Sequence, residues 1–175
     1  MVSKREVYII SFKVKKGCDH WGVYFPSEST PTKGKIINIS GSPYTGYQHE
    51  VKHYWDSKLD QSEIRLYLLG ETDASNVVDA EGDGKMKVVF EFNKADRFED
   101  VANGHPPPVV DSALIPTGTV SEVTLALWYD IPGMKRCQEW ASEFIDDVVK
   151  QGLLPESAVE VCAIARAERN MPPKA

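Results

Sequence analysis

The first half of the chain is a series of short apolar runs rich in β-forming residues, one of which alternates with a period of two. Glu6–Lys15 concentrates Val, Ile, Tyr and Phe, and His20–Phe25 and Lys35–Ser40 are short β-type runs. Gln48–Trp55 alternates, with His49, Val51, His53 and Trp55 on one side and Gln48, Glu50, Lys52 and Tyr54 on the other. Glu63–Leu69 follows, and turn clusters at Gly17-Cys18-Asp19, Ser27–Gly34 and Gly41–Gly46 separate the runs. Strands at roughly ten-residue spacing with such punctuation predict an antiparallel sheet. The middle is less regular. Glu71–Gly84 reads as an acidic loop, and Lys85–Phe92 alternates again with Met86, Val88, Phe90 and Phe92 on one face. Gly104-His105-Pro106-Pro107-Pro108 breaks any regular element, and Val120–Tyr129 reads as a last strand.

From Cys137 the period changes. Cys137, Trp140, Ala141, Phe144, Ile145, Val148 and Val149 recur at three and four, which is one face of a helix. Pro132-Gly133 precedes this helix and Gly152 closes it. Pro155 opens a second helix with Ala158, Val161, Cys162 and Ala165 on one side. Strands first and helices last predict an α+β domain.

The chain has 175 residues, 42% hydrophobic and 26% charged, enough for one domain with a real core. We place that single domain at residues 1–168 and a frayed polar tail at 169–175. The net charge of -6 argues against nucleic acid or an anionic membrane as the main partner. No apolar run is long enough to span a membrane. The N-terminal segment lacks a cleavage-site pattern, and the three cysteines are an odd number. Both fit free thiols in a reducing, cytoplasmic setting. The sequence leaves the oligomeric state open.

Three constellations carry possible chemistry. His49-Glu50-Val51-Lys52-His53 spells H-E-x-x-H, a zinc-hydrolase pattern on a helix. Here the segment alternates like a strand, which separates the two histidines by roughly 13 Å. Lys52 also sets a positive charge beside the expected cation. Asp79–Phe90 has Asp79, Glu81, Asp83 and Gly84 at calcium-loop spacing, but Phe90 stands where a glutamate belongs. It reads as a solvated acidic loop. The third constellation is Cys137 at a helix start beside Arg136, with His20 at a strand start. A thiol there feels the positive end of the helix dipole, which predicts a lowered pKa. A histidine in reach could take its proton and return it to a leaving group. Cys162 reads as core and Cys18 as a turn residue near the same region.

His20-Trp21-Gly22-Val23-Tyr24-Phe25 resembles the His-Trp-Ala-Ile-Tyr-Val strand of lecithin:retinol acyltransferase-like proteins. Gly34-Lys35-Ile36-Ile37-Asn38-Ile39 resembles their next strand, and Arg136-Cys137-Gln138-Glu139-Trp140 resembles their Asn-Cys-Glu-His-Phe nucleophile motif. That group belongs to the circularly permuted branch of the NlpC-type, papain-like superfamily. The likeness covers residues 6–40 and 130–152 and leaves 57–128 unexplained.

The resemblance implies a permuted papain-like fold, with Cys137 as nucleophile, His20 as general base and acid, and Asn38 as orienter. Asn38 stands where the family has a second histidine, and an asparagine can orient an imidazole without acting as a base. Ser40, on the same strand face, is the reserve orienter. The expected activity is a thiol hydrolase or acyltransferase acting on an amide, ester or thioester, with a peptide or small acylated substrate. It needs no cofactor and no metal. Two other readings stay open: a non-catalytic binding module on the same fold, and a zinc hydrolase built on His49, Glu50 and His53.

Overall fold

The β-type runs fold into a single six-stranded sheet. Its strands are β1 (Lys4–Phe12), β2 (His20–Pro26), β3 (Lys33–Ser42), β4 (Gly46–Asp56), β5 (Ile64–Asp73) and β6 (Lys87–Val89). The order across the sheet is β5-β1-β2-β3-β4-β6, and every neighbouring pair is antiparallel. The computed structural model describes residues 2–14, 18–114 and 133–169. The strand expected at Val120–Tyr129, Pro132 and the tail beyond Arg169 lie outside the described residues.

One face of the sheet carries the main core. Val7, Ile9, Trp21, Val23, Phe25, Ile37, Ile39 and Val51 pack there against the helices. The other face holds a smaller cluster of Ile10, Tyr24, Ile36 and Trp55, edged by Tyr8, Phe12 and Ile64. Successive side chains of a strand point to opposite faces, so each inner strand feeds both clusters.

Trp55 corrects the expectation that His49, Val51, His53 and Trp55 share a side. Gly34 pairs with Trp55 while Ile36 pairs with Lys52, so β4 carries one more residue here than β3. This is a bulge, and an extra residue inverts the alternation beyond it. Tyr54 takes up the strain in the left-handed region at φ 55, a conformation that costs a non-glycine residue roughly 1–3 kcal/mol. Its hydroxyl donates to the Ala80 carbonyl. Trp55 thereby leaves the Val51 side and meets Tyr24 edge-on, with ring centres 5.3 Å apart.

Among the described residues there are three α-helices. In α2 (Cys137–Lys150) the buried face is Cys137, Gln138, Trp140, Ala141, Phe144, Ile145 and Val148. The Glu139 carboxylate accepts the Arg136 N–H at 2.9 Å at its start. Gly152 at φ 71 ends it, where the left-handed turn favours glycine. α3 (Ser157–Arg169) follows Pro155 and buries Ala158, Cys162 and Ala165.

The third helix, α1 (Arg97–Asn103), has no counterpart in the periodicity reading. Asp96 caps it, accepting the N–H groups of Phe98 and Glu99 at 3.0 Å each. The Lys35 ammonium of β3 pairs with both Asp96 and Glu99, and all three side chains are buried. The expected strand Lys85–Phe92 shrinks to Lys87–Val89, and Met86 and Phe90 stay exposed. The acidic loop begins later than expected, because β5 runs on to Asp73. The architecture is α+β, with the helices on one face of an antiparallel sheet. No helix of the described residues is long and apolar enough to cross a membrane.

Candidate functional site

His20 opens β2 at the centre of the sheet. Its side chain leaves on the face away from α2, where it lies opposite Phe12 with ring centres 6.0 Å apart. Asn38 lies on the same face of β3, paired in register with Gly22 on one side and Glu50 on the other. A side chain at Gly22 would press on Ile36 at 2.7 Å and on the Asn38 Cβ at 3.2 Å. The glycine therefore gives Asn38 room beside β2. Asn38 Nδ2 is 2.9 Å from His20 Nε2 and 3.2 Å from Glu50 Oε1. Lys52 completes the corner, 3.5 Å from the same Glu50 oxygen. Asn38, not Ser40, is the residue placed against His20.

Burial holds the His20 imidazole well below its ordinary range, at about 4, and the Lys52 charge acts in the same direction against Glu50. The ring is neutral at physiological pH.

Cys137 sits at the first turn of α2, inside the main core on the Trp21 side of β2. Its Sγ lies 3.9 Å from the Asp19 carbonyl. The thiol thus rests against the backbone beside His20. Among the described residues no hydrogen bond joins Cys137 to His20. Burial pushes the Cys137 thiol up to about 11, and the nearby Trp21 N–H only partly offsets this. The expectation of a lowered pKa fails for that reason. The helix dipole contributes a few tenths of a kcal/mol to about 1 kcal/mol, whereas a thiol 8% exposed loses most of its hydration as an anion.

Several residues whose contacts the sequence patterns did not give build this corner. Buried Gln138 donates from Nε2 to the Asp19 carbonyl at 2.8 Å, which pins the strand entry against α2. Arg136 donates from Nη1 to the Cys18 sulfur at 2.7 Å. Tyr47 packs nearby, and burial followed by Cys137 raises its hydroxyl pKa. Glu50 and Lys52 were legible only as parts of a zinc pattern. Their position next to Asn38 follows from cross-strand register, which periodicity does not supply. Cys162 is a core residue of α3, and burial pushes it up to about 12.

The zinc set is not brought together. Glu50 lies on the face of β4 opposite both histidines. His49 Nε2 meets the His105 carbonyl at 2.9 Å, and its ring sits tilted between Phe92 and Trp140. His53 faces the Lys35, Asp96 and Glu99 charges. The carboxylate of Asp79, the first position of the calcium-like loop, is taken by Arg5 at 2.9 Å. Among the described residues no group of three or more His, Cys, Asp or Glu is placed to hold a metal ion.

No curated protein and no solved structure matches the chain. Residues 7–155, from β1 to the turn before α3, match one family model. On that match the chain belongs to DUF6540, a family of unknown function.

Proposed function

We propose that the protein is a cysteine-dependent hydrolase or acyltransferase of permuted papain-like fold, with Cys137 as nucleophile, His20 as general base and acid, and Asn38 as the residue that anchors the imidazole. One observation carries the reading. The thiol at the start of α2 rests against the backbone beside His20, and the His20 ring is anchored to Asn38.

Both groups are neutral at rest, so the chemistry starts from a thiol and an imidazole, not from a preformed ion pair. The two side chains leave β2 on opposite faces, so passing the Sγ proton to His20 as the thiolate attacks an amide, ester or thioester carbonyl requires the start of α2 and the entry of β2 to shift against each other when substrate binds. The positive end of the α2 dipole lies at Cys137 and favours the developing oxyanion. His20 then returns the proton to the leaving group. Water or another acceptor breaks the acyl–sulfur bond, and the thiol is regenerated. The chemistry calls on no cofactor, and a reducing compartment such as the cytoplasm suits it.

The second reading is a binding module that keeps the fold without the chemistry. The burial of Cys137 and its lack of a hydrogen bond to His20 favour that one. An activated ester separates the two. With p-nitrophenyl acetate and acid quench, we expect an acetyl adduct on Cys137 in the folded protein, lost in Cys137→Ala and strongly slowed in His20→Ala. An adduct that forms no faster on Cys137 than on Cys18 and Cys162, or at full rate without His20, would sink the enzyme and leave the binding module.

A further inference from the structure

The amide nitrogen of Asn38 faces three groups: the His20 ring, the Glu50 carboxylate and, farthest at 3.4 Å, the Ile39 carbonyl. Glu50 is 13% exposed at its side chain and lies next to the Lys52 ammonium. As a carboxylate it can only accept hydrogen bonds. Its Oε1 is 3.2 Å from Asn38 Nδ2, so the amide must present an N–H there. The same Nδ2 is 2.9 Å from His20 Nε2. An amide nitrogen has no usable lone pair, so an Nε2–H could find no acceptor there and Nε2 must itself accept, at a shorter distance than the Ile39 carbonyl at 3.4 Å. A neutral imidazole that accepts at Nε2 carries its proton on Nδ1.

The alternative is a half-turn of the Asn38 amide. Oδ1 would then accept from an Nε2–H, as an orienting asparagine should. That turn would set Oδ1 against the Glu50 oxygen, lone pair against lone pair. Among the described residues Oδ1 is buried with no hydrogen-bond partner. Asn38 as a whole is 1% exposed, so water does not relieve it. A buried acceptor left without a donor is unfavourable, and the Glu50 contact is what keeps it so.

We infer that Glu50 is a positioning residue that, through Asn38, holds His20 in the Nδ1–H tautomer. This deepens the thiol reading and rests on it in one respect: there Nδ1 is the nitrogen left to act as base. Held this way, Nδ1 presents a proton and no lone pair, and the resting site is latched. A cationic or hydrogen-bond-donating group of a ligand that engages Glu50 would release the amide. Asn38 would then rotate, Oδ1 would gain its partner at Nε2–H, and the Nδ1 lone pair would become available. The latch thus couples binding at the Glu50–Lys52 corner to the readiness of His20.

Nitrogen NMR of the full chain labelled at the histidine rings tests this without any substrate. Protonated and unprotonated ring nitrogens resonate far apart, and the spectrum of His20→Gln identifies the His20 signals. At neutral pH we expect His20 in the wild type to be protonated at Nδ1. Glu50→Leu removes the acceptor, and the proton should move to Nε2. Glu50→Gln keeps an acceptor oxygen and should restore Nδ1–H. A wild-type His20 protonated at Nε2 overturns the inference, with no variant needed. So does a folded Glu50→Leu protein that keeps Nδ1–H. Iodoacetamide labelling of Cys137 in Glu50→Leu reads the link to the chemistry, and a freed base should speed it by roughly tenfold or more. A switched tautomer with an unchanged labelling rate would leave the latch standing and overturn the Cys137–His20 pairing.

Discussion

β3 carries two buried polar residues, Lys35 and Asn38, and builds a different kind of polar cluster around each on opposite faces of the sheet. On the helix face the Lys35 ammonium meets Asp96 and Glu99. The spare oxygens there are also used. Asp96 caps α1 and accepts the Val78 N–H at 2.6 Å, and Glu99 accepts the Asn93 N–H at 2.7 Å. On the other face, Asn38 joins His20, Glu50 and Lys52, but among the described residues its Oδ1 has no donor. In the first cluster the ammonium and both carboxylates are paired, and it ties α1 to the sheet. The second has one acceptor to spare and one amide able to turn. A fully satisfied network specifies structure, while an incomplete one in a packed setting is where a protein keeps a moving part.

Breaking the closed cluster should therefore cost most. Lys35→Met leaves two carboxylates facing each other out of water, and removing one partner of a buried pair costs about 3–5 kcal/mol. Urea unfolding of the variant against the wild type measures this. A loss under about 1 kcal/mol would put the two clusters on an equal footing and dissolve the contrast.

The open cluster should announce itself through pH. The His20 pKa falls from 6.5 in the unfolded chain to about 4 in the folded one. Between those values the unfolded chain binds the proton and the folded protein does not, so protonation favours unfolding. The contribution is fully present above pH 6.5, is lost as pH falls toward 4, and changes no further below that. Its upper limit is about 3 kcal/mol. Urea midpoints of wild type and His20→Gln across this range isolate it, because the other histidines cancel in the difference. Parallel curves would mean that His20 titrates as it does in water, and that its corner is open to solvent.

The contrast also marks how far sequence reasoning reaches. β-type apolar runs between turn clusters placed β1 to β5, and period three-and-four placed α2 and its closing Gly152, because all are local signals. His20 and Asn38 were legible through motif resemblance, and they do meet in the structure. Glu50 as the third member was not, since only the β3–β4 register brings it opposite Asn38. Nor was the bulge at Tyr54, which sends Trp55 to the other face without disturbing the alternation in the sequence. α1 was hidden by its seven-residue length, although Asp96-Arg97-Phe98-Glu99 has the Asp-x-x-Glu spacing of a capped helix start. The thiol pKa went the wrong way because position in a helix is readable from sequence and depth of burial is not.

The smallest effect is the most discriminating one. Asn38→Leu replaces a carboxamide by an apolar side chain of similar shape, in space that Gly22 leaves free on the neighbouring strand. It removes the unpartnered Oδ1, which is a gain, and two donated hydrogen bonds, which is a loss. Neither remaining partner is stranded. Glu50 keeps Lys52 at 3.5 Å, and a neutral imidazole can move its proton to suit whatever faces it. The terms nearly offset, so stability should stay within about 1 kcal/mol of wild type in urea unfolding. The His20 tautomer, no longer dictated by an amide, should become mixed in the same nitrogen NMR experiment. A loss of about 3 kcal/mol or more, on the scale expected of Lys35→Met, would show that Asn38 holds up the fold as Lys35 does. The spare acceptor would then be no sign of a moving part.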